Sequence, residues 1–312
     1  MDAVVRAIEL DLLLLQLEGG SFQGRLLTLK LPPLFFLWFQ IRRPLHVTGT
    51  KPKGVITVTL DLDPHPGGAP WRSHGLELPA DSLFGLDVEG EVHFTIPANV
   101  SFAVLFLPLQ ALEQWAQQLG WHGFDGELVP RGNVVRTNPR SSAALRRSLR
   151  RLFALAEQRQ DHLLSPERQR LILADLIPLL LEALSSGPDA NRRVLGSPAR
   201  IQIVKDVQRW VRANPTSPIS LADLCREAHA SRRTLLQGFQ DHLGMGPMAY
   251  VKLLRLHGIR RQLVLADPGE IQISALADAW GFHNAGHFAA DYRRLFGETP
   301  RDTLRRARPR LS

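Results

Sequence analysis

Cysteine is almost missing from this chain. The single example among 312 residues, Cys225, excludes an internal disulfide and a multi-cysteine zinc site, and it suits a reducing compartment. Its apolar-periodic surroundings predict a small core residue. Long apolar runs are missing too. "DLLLLQL" near the start and "LPPLFFLWFQI" from Leu31 to Ile41 both fall short of the roughly 18 to 20 residues that a membrane helix needs. The opening "MDAVVRAIEL" has neither a basic lead nor a small-residue cleavage site, so the expectation is a cytoplasmic protein with no secretory signal. No nucleophile–base–acid arrangement and no phosphate-cradling glycine loop is found, which argues against catalysis.

What is present is basic charge, gathered in one place. The chain carries 38 Lys+Arg against 30 Asp+Glu, and the whole excess lies in residues 200–312, with 18 basic and 10 acidic residues. Residues 1–199 are balanced. A basic domain joined to a neutral one points to a polyanion partner, because cationic side chains that meet phosphates release condensed counterions. The length admits two domains or three small ones, and 44% hydrophobic with 22% charged residues is ordinary for a globular chain.

From about Gly24 to Leu109, short apolar stretches alternate with turn residues: "GRLLTLKL", "LFFLWFQI", "GVITVTLDL", "SLFGLDV", "VHFTI" and "SFAVLFL". This predicts strands of an antiparallel sheet or barrel. Within "GVITVTLDL", Val55, Thr57 and Thr59 alternate with Ile56, Val58 and Leu60, which suits a sheet with one wetter face. Pro108 then opens a helix that ends at Gly120. Two longer helical patterns start at Ser141 and Ser165. In the first, Leu145, Leu149, Leu152, Phe153 and Ala156 form a stripe, with Arg146, Arg147, Arg150 and Arg151 elsewhere. In the second, Pro178 is expected to kink or break the helix. These helices have apolar surface enough to cover the sheet, a second copy of the chain, or both. The Gly/Pro/Ser/Asn cluster "SSGPDANRRVLGSP" predicts a linker at 185–198 between a barrel-plus-helices domain, 1–184, and an all-α domain, 199–312.

The last third contains one element twice. Leu221, Leu224, Ala228 and Ala230 correspond to Ile273, Leu276, Trp280 and Phe282 at an offset of 52; Leu235, Phe239, Gly244 and Pro247 correspond to Phe288, Tyr292, Gly297 and Pro300 at an offset of 53. Each copy reads as a short helix, a tight turn and a longer helix with apolar residues at i and i+4, the helix-turn-helix pattern. The second helix of such a unit enters the major groove of DNA. In the first copy, Arg232, Arg233 and Gln237 are candidates for base contact, with Ser231 and Thr234 beside phosphate. In the second, His283, Asn284 and His287 take the base-contact places, with Arg293 and Arg294 for phosphate. His283 and His287 have the spacing of a metal pair, but no third ligand lies near in sequence and the intervening Glu of a zincin is missing. "MAYVKLLRLHGIRRQLVLAD" between the copies predicts one connecting helix, and "IQIVKDVQRWVRANP" a supporting one.

Through these residues the chain resembles the AraC/XylS family of bacterial transcription regulators. The resemblance rests on the two helix-turn-helix units, on Tyr250, Arg255, Leu256 and Arg260 in a central "YxxxxRLxxxR" run, and on "WGFxxxxHFxxxYRRLFGxTP" from Trp280 to Pro300. It implies a sequence-specific regulator of double-stranded DNA, more often an activator than a repressor, with RNA polymerase as a partner. Helices 231–243 and 284–296 are its implied recognition helices. It also implies an N-terminal domain that senses an effector or makes a homodimer. Departures are His229 where the family usually has Gly, Gly258 inside the connecting helix, and Ala285 and Gly286 in the second reading helix, which leave that helix suited to gripping phosphate.

The N-terminal domain resembles, more loosely, a cupin-like barrel. A metal-binding cupin carries a close His-x-His pair, whereas His46, His65, His74 and His93 are scattered, so neither metal nor cofactor is expected. The competing reading is a metal-dependent cupin-type enzyme fused to a DNA-binding domain. Phe35, Phe36, Trp38, Phe39 and Trp71 are either effector-pocket or core residues.

Overall fold

The computed structural model describes residues 11–65, 67–86, 91–120, 133–159, 163, 165–185, 200–267, 269 and 271–306. The chain divides into two compact units, residues 1–14 with 23–196, and residues 15–22 with 197–312. The expected linker lies, after Ser185, outside the described residues.

The strands are β1 (Leu12–Gln16), β2 (Gly24–Leu31), β3 (Leu34–Ile41), β4 (Leu45–Thr50), β5 (Val55–Asp61), β6 (Arg72–Ser73), β7 (Leu76–Glu77), β8 (Ser82–Phe84), β9 (Glu91–Ile96), β10 (Val100–Pro108) and β11 (Val134–Arg136). They form two antiparallel sheets, in the orders β1-β4-β9-β6-β7 and β11-β8-β5-β10-β3-β2. Among the described residues neither sheet closes on itself. Strand β10 is the centre of the larger sheet, pairing β3 from Val100↔Ile41 to Phe106↔Phe35 and β5 from Phe102↔Asp61 to Pro108↔Val55.

Helices α1 (Leu109–Gln118), α2 (Pro139–Gln158) and α3 (Pro166–Ser185) follow. Helix α2 starts two residues before the expected Ser141, because the Asn138 side chain accepts the Arg140 N–H at 2.8 Å and Pro139 fits the first turn. Pro178 does not break α3. It stands on the exposed side of the helix, as does Ala174 four residues earlier, where water can satisfy the carbonyl that the proline leaves without a donor.

The period-2 alternation of β5 and β10 separates two environments. Ile56, Val58, Leu60, Ala103, Leu105 and Leu107 share one buried cluster with Leu145, Leu149 and Phe153 of α2 and Leu176, Ile177 and Leu180 of α3. Each Val, Leu, Ile or Phe side chain of this cluster contributes on the order of 1.5 to 3 kcal/mol through removal from water. Trp38 stacks on Phe153 with centroids 5.5 Å apart. Arg146, which lies off the apolar stripe, is nonetheless buried, donating to Asp81 at 3.0 Å and to the Asp61 and Ala80 carbonyls at 2.9 and 3.0 Å. Its neighbour Asp61 has its carboxyl pushed above the ordinary range, chiefly by burial.

The other face of β5 is not wet, as the alternation suggests, but enclosed. Thr57 and Thr59 are buried and line a cavity of about 90 Å³ together with Phe39, Phe94, Phe102 and Trp71. Its few polar groups gather at Gly85, whose carbonyl accepts from the Thr57 hydroxyl at 2.5 Å and from the Lys51 ammonium at 3.0 Å. Of the aromatic residues weighed as pocket or core, Phe39 and Trp71 line this cavity, Phe36 belongs to the main core, Trp38 packs on α2, and Phe35 lies against Phe106. The histidines His46, His74 and His93, far apart in sequence, come ring to ring, with centroids 4.8 Å (His46–His93) and 5.9 Å (His74–His93) apart. Among the described residues no group of three or more His, Cys, Asp or Glu side chains is placed to hold a metal ion, and no helix is long and apolar enough to cross a membrane.

Candidate nucleic-acid interface

The second unit is built from α4 (Ile201–Ala213), α5 (Leu221–Glu227), α6 (Arg232–Leu243), α7 (Pro247–Leu265), α8 (Ile273–Ala279), α9 (Ala285–Phe296) and α10 (Pro300–Arg306). The duplication is structural: α5 and α6 make one helix-turn-helix, and α8 and α9 the other. The two long helices have 12 residues each, and each ends in a glycine in the left-handed conformation, Gly244 (φ 67°) and Gly297 (φ 72°). A glycine adopts that conformation without the Cβ clash that other residues suffer.

Local chemistry fixes the start of each element. Ser220 and Asp223 form a reciprocal capping box at α5, and the hydrogen bonds from Ser220 hold the Asp223 carboxyl below its ordinary range. The turn of the first unit passes through His229 at φ 46°, where the second unit has Gly281 at φ 80°. Helix α6 is capped by Ser231, whose hydroxyl accepts the Thr234 N–H at 3.2 Å, and α9 by Asn284, whose carbonyl oxygen accepts the His287 N–H at 2.9 Å.

Helix α7 joins the two units. Tyr250 is fully buried against Phe239 of α6 with ring centroids 5.7 Å apart, and burial pushes its hydroxyl well above the ordinary range. Arg255 ties α7 to the segment after α4, donating to the Pro215 and Ser217 carbonyls at 3.0 and 2.6 Å. Lys252 pairs with Asp291 of α9. Arg260 lies over the Phe296 ring at 4.6 Å and pairs with Glu298 at 2.7 Å. Glu298 also accepts from Thr303 at 2.8 Å and pairs with Arg306 at 2.6 Å. Burial alone would raise this carboxyl, but Thr303, Arg260 and Arg306 outweigh it and the balance is downward. Tyr250, Arg255 and Arg260 of the quoted run are therefore framework, not a reading surface. Residues 15–22 belong to this unit as well. Gly20 N–H donates to the Arg294 carbonyl at 2.9 Å and the Gln16 side chain to the Leu295 carbonyl at 3.0 Å, at the end of α9. Gln16 N–H donates to His257 Nε2 at 3.1 Å.

Arg232, Arg233, Gln237, His283, Asn284, His287, Arg293 and Arg294 are all exposed, and Ser231 with them. Thr234 is half-buried. No hydrogen bond or ion pair with a described residue holds the Arg232 or Arg233 side chain. Others are already engaged. Ser231 and Thr234 hydrogen-bond each other at 2.8 Å, Gln237 donates to Asp241 at 2.6 Å, His283 Nδ1 lies 2.6 Å from Asp278, and Arg294 pairs with Asp291. Cys225 is half-buried and not in the core proper. Sequence reading passed over Leu236, which is 38% exposed on α6, because an apolar residue in a helical pattern counts by default toward the core.

Comparison with known proteins agrees with this architecture. A family described as a helix-turn-helix domain matches residues 224–306. The XylDLEGF operon transcriptional activator 2 of Pseudomonas putida is 35% identical over 125 residues, 40% of this chain and 77% of that protein. The chain belongs to the AraC family of helix-turn-helix transcriptional regulators. It is a DNA-binding transcription regulator. The probable thc operon regulatory protein of Rhodococcus erythropolis is 35% identical over 108 residues, 35% of this chain; the match spans about a third of that relative, 32%. A solved structure described as a probable AraC family transcriptional regulator from Rhodopseudomonas palustris CGA009 is 39% identical and covers 34% of this chain and 98% of its own, with a TM-score of 0.32.

Proposed function

We propose that this AraC-family protein is a sequence-specific activator that lays α6 and α9 in neighbouring major grooves of one DNA duplex. Arg232, Arg233, Gln237, His283, Asn284 and His287 are assigned to base edges, and Ser231, Thr234, Arg293 and Arg294 to phosphates. The observation that carries the reading is the pair Arg232 and Arg233, exposed at the first turn of a serine-capped helix and, among the described residues, held by no other side chain. Long cationic side chains free at the groove-facing end of a recognition helix are suited to bidentate guanine contacts. In the second unit, Ala285 and Gly286 offer little reach, so α9 is assigned mainly to gripping and positioning. RNA polymerase is the proposed partner, and the cytoplasm the proposed location.

The N-terminal domain, 1–184, with a linker at 185–198 and the DNA-binding domain at 199–312, is assigned a cupin-like fold and the sensing of a small, mostly apolar effector. The cavity beside Thr57 and Thr59 supports this, since its lining is mostly apolar and aromatic with a few polar groups, as in small-molecule sites. A homodimer is the other assignment for this domain, supported by Leu171, 67% exposed on α3.

Selection of binding sites from a random DNA pool, followed by footprinting, tests the reading. The expected result is protection of two segments about one helical turn apart, with affinity that falls steeply as salt rises. Uniform, sequence-blind binding to every fragment would reject it.

A further inference from the structure

Helix α6 presents to solvent a stripe of Arg233, Leu236, Gln237 and Gln240, spaced i, i+3, i+4 and i+7, all four exposed. Three of them offer polar groups. Leu236 offers none, and it is the one large apolar side chain on this face. An isolated exposed leucine is common on protein surfaces; its place on a groove-facing helix is what makes this one informative. The floor of the major groove contains one apolar group, the C5-methyl of thymine, among hydrogen-bond donors and acceptors. The corresponding position of the second unit, at the offset of 53, is Ala289, again apolar and exposed. The side chains around these two positions differ between the copies, with Arg233 answering to Gly286 and Gln237 to Ala290, yet both keep a methyl-bearing residue there.

We infer that Leu236 is a specificity-determining residue that packs on a thymine methyl in the first half of the site, a contact for which Ala289, at the corresponding place in the second unit, is too short. The inference rests on the reading that α6 lies in the major groove. Leu236 selects thymine over cytosine, whose C5 carries hydrogen, and Gln237, tied to Asp241, flanks it as the polar neighbour that fixes register.

The test uses the full chain and the DNA fragment it selects, with each thymine replaced in turn by deoxyuridine, which lacks only the methyl. The expected result is a loss of about three- to tenfold in affinity at one thymine of the first half-site, the size of one buried methyl contact. Leu236→Ala should bind the thymine and deoxyuridine fragments equally while keeping the salt dependence of the unaltered chain. Leu236→Gln, which keeps length and exposure, should shift the preferred base at that pair in a second selection. If the unaltered chain is indifferent to deoxyuridine at every position, or Leu236→Ala keeps the preference, while Arg232→Ala still weakens binding, the methyl contact is wrong and the groove reading stands. If neither Arg232→Ala nor Leu236→Ala changes binding, the groove reading itself fails and takes this inference with it.

Discussion

The indole of Trp280 fills the space in which a side chain at Gly258 would stand: a β-carbon built on Gly258 would lie 2.1 and 2.3 Å from two carbons of the six-membered ring of the tryptophan. Helix α7 therefore carries a glycine at its centre, at a cost of about 1 kcal/mol in helix propensity, so that the turn after α8 can seat against its backbone. Gly258→Ala should improve the isolated helix and harm the protein. The expected loss is about 1 to 3 kcal/mol from overpacking, read as a lower denaturant midpoint of the full chain. An unchanged or higher midpoint would show that the indole moves aside freely.

The turn of the first helix-turn-helix makes the opposite prediction. His229 holds φ 46° where its counterpart Gly281 holds φ 80°. A residue with a β-carbon is strained there by roughly 1 kcal/mol or more, and His229 is exposed, so the ring recovers little by packing. His229→Gly should stabilise the fold by about 1 kcal/mol, read as a higher denaturant midpoint. The reverse change, Gly281→His, should lower it by more, because Arg255 lies within reach of a β-carbon at that position. Equal and small effects at both sites would contradict this account.

Much of the second unit was legible in the sequence because it is written twice, and the matched spacing of Leu235 with Phe239 and Phe288 with Tyr292 supplied its own control. The need for Gly258 was not legible. Nothing in the local pattern connects it to a tryptophan 22 residues later, so the glycine reads as a flaw in a helix. The same holds for Arg146, set off the apolar stripe with Arg147, Arg150 and Arg151 by periodicity, although it is buried against Asp61 and Asp81, which are distant in sequence. Among the strands, β3 and β10 were visible as apolar runs bounded by turn residues, whereas β4, "LHVTGT", is polar at alternate positions and carries a glycine, and β1 is a continuous leucine run with no period to read. In the candidate interface, charge pointed to Arg232 and Arg233, but the capping duty of Asn284 and the tie between Gln237 and Asp241 are facts of three-dimensional placement.

Acid should weaken the fold through His257. Burial draws its basicity down from the ordinary 6.5 to about 4, with the Gln16 hydrogen bond opposing that and the charges of Arg260 and Arg261 adding to it. Between those two values an unfolded chain takes up a proton that the folded chain refuses. The stability contributed by the neutral ring is therefore complete above pH 6.5 and is lost as pH falls toward 4. The full linkage is about 3 kcal/mol, less in proportion to the water that reaches this partly exposed residue. Urea midpoints measured from pH 7.5 to 4 should fall more steeply in the unaltered protein than in His257→Gln. Parallel curves would remove His257 from the explanation. Below about pH 4.5 the depressed carboxyl of Glu298 should add a second loss in both proteins, as its pairs with Arg260 and Arg306 are neutralised.

Arginine truncation separates reading from gripping. Arg232→Ala and Arg233→Ala should each relax base preference in one half-site and weaken specific binding by about 1 to 3 kcal/mol, the range for a bidentate contact. Arg293→Ala, at the far end of α9, should weaken all sequences alike and reduce the slope of binding against salt by about one phosphate. Competition binding across a set of single-base variants distinguishes the two patterns, and identical behaviour of Arg232→Ala and Arg293→Ala would contradict the division.

The attachment of residues 15–22 to the end of α9 has a practical side for anyone cutting this protein apart. A fragment begun at the inter-domain segment would look whole by sequence, since both duplicated elements would be in it. It would lack the Gln16 side-chain amide and the Gly20 N–H that donate to the last carbonyls of α9, and it would leave the ring of His257 without its donor. Such a fragment should fray at that terminus, and feeding back a synthetic peptide of those eight residues is the direct way to find out how much of the loss it repairs.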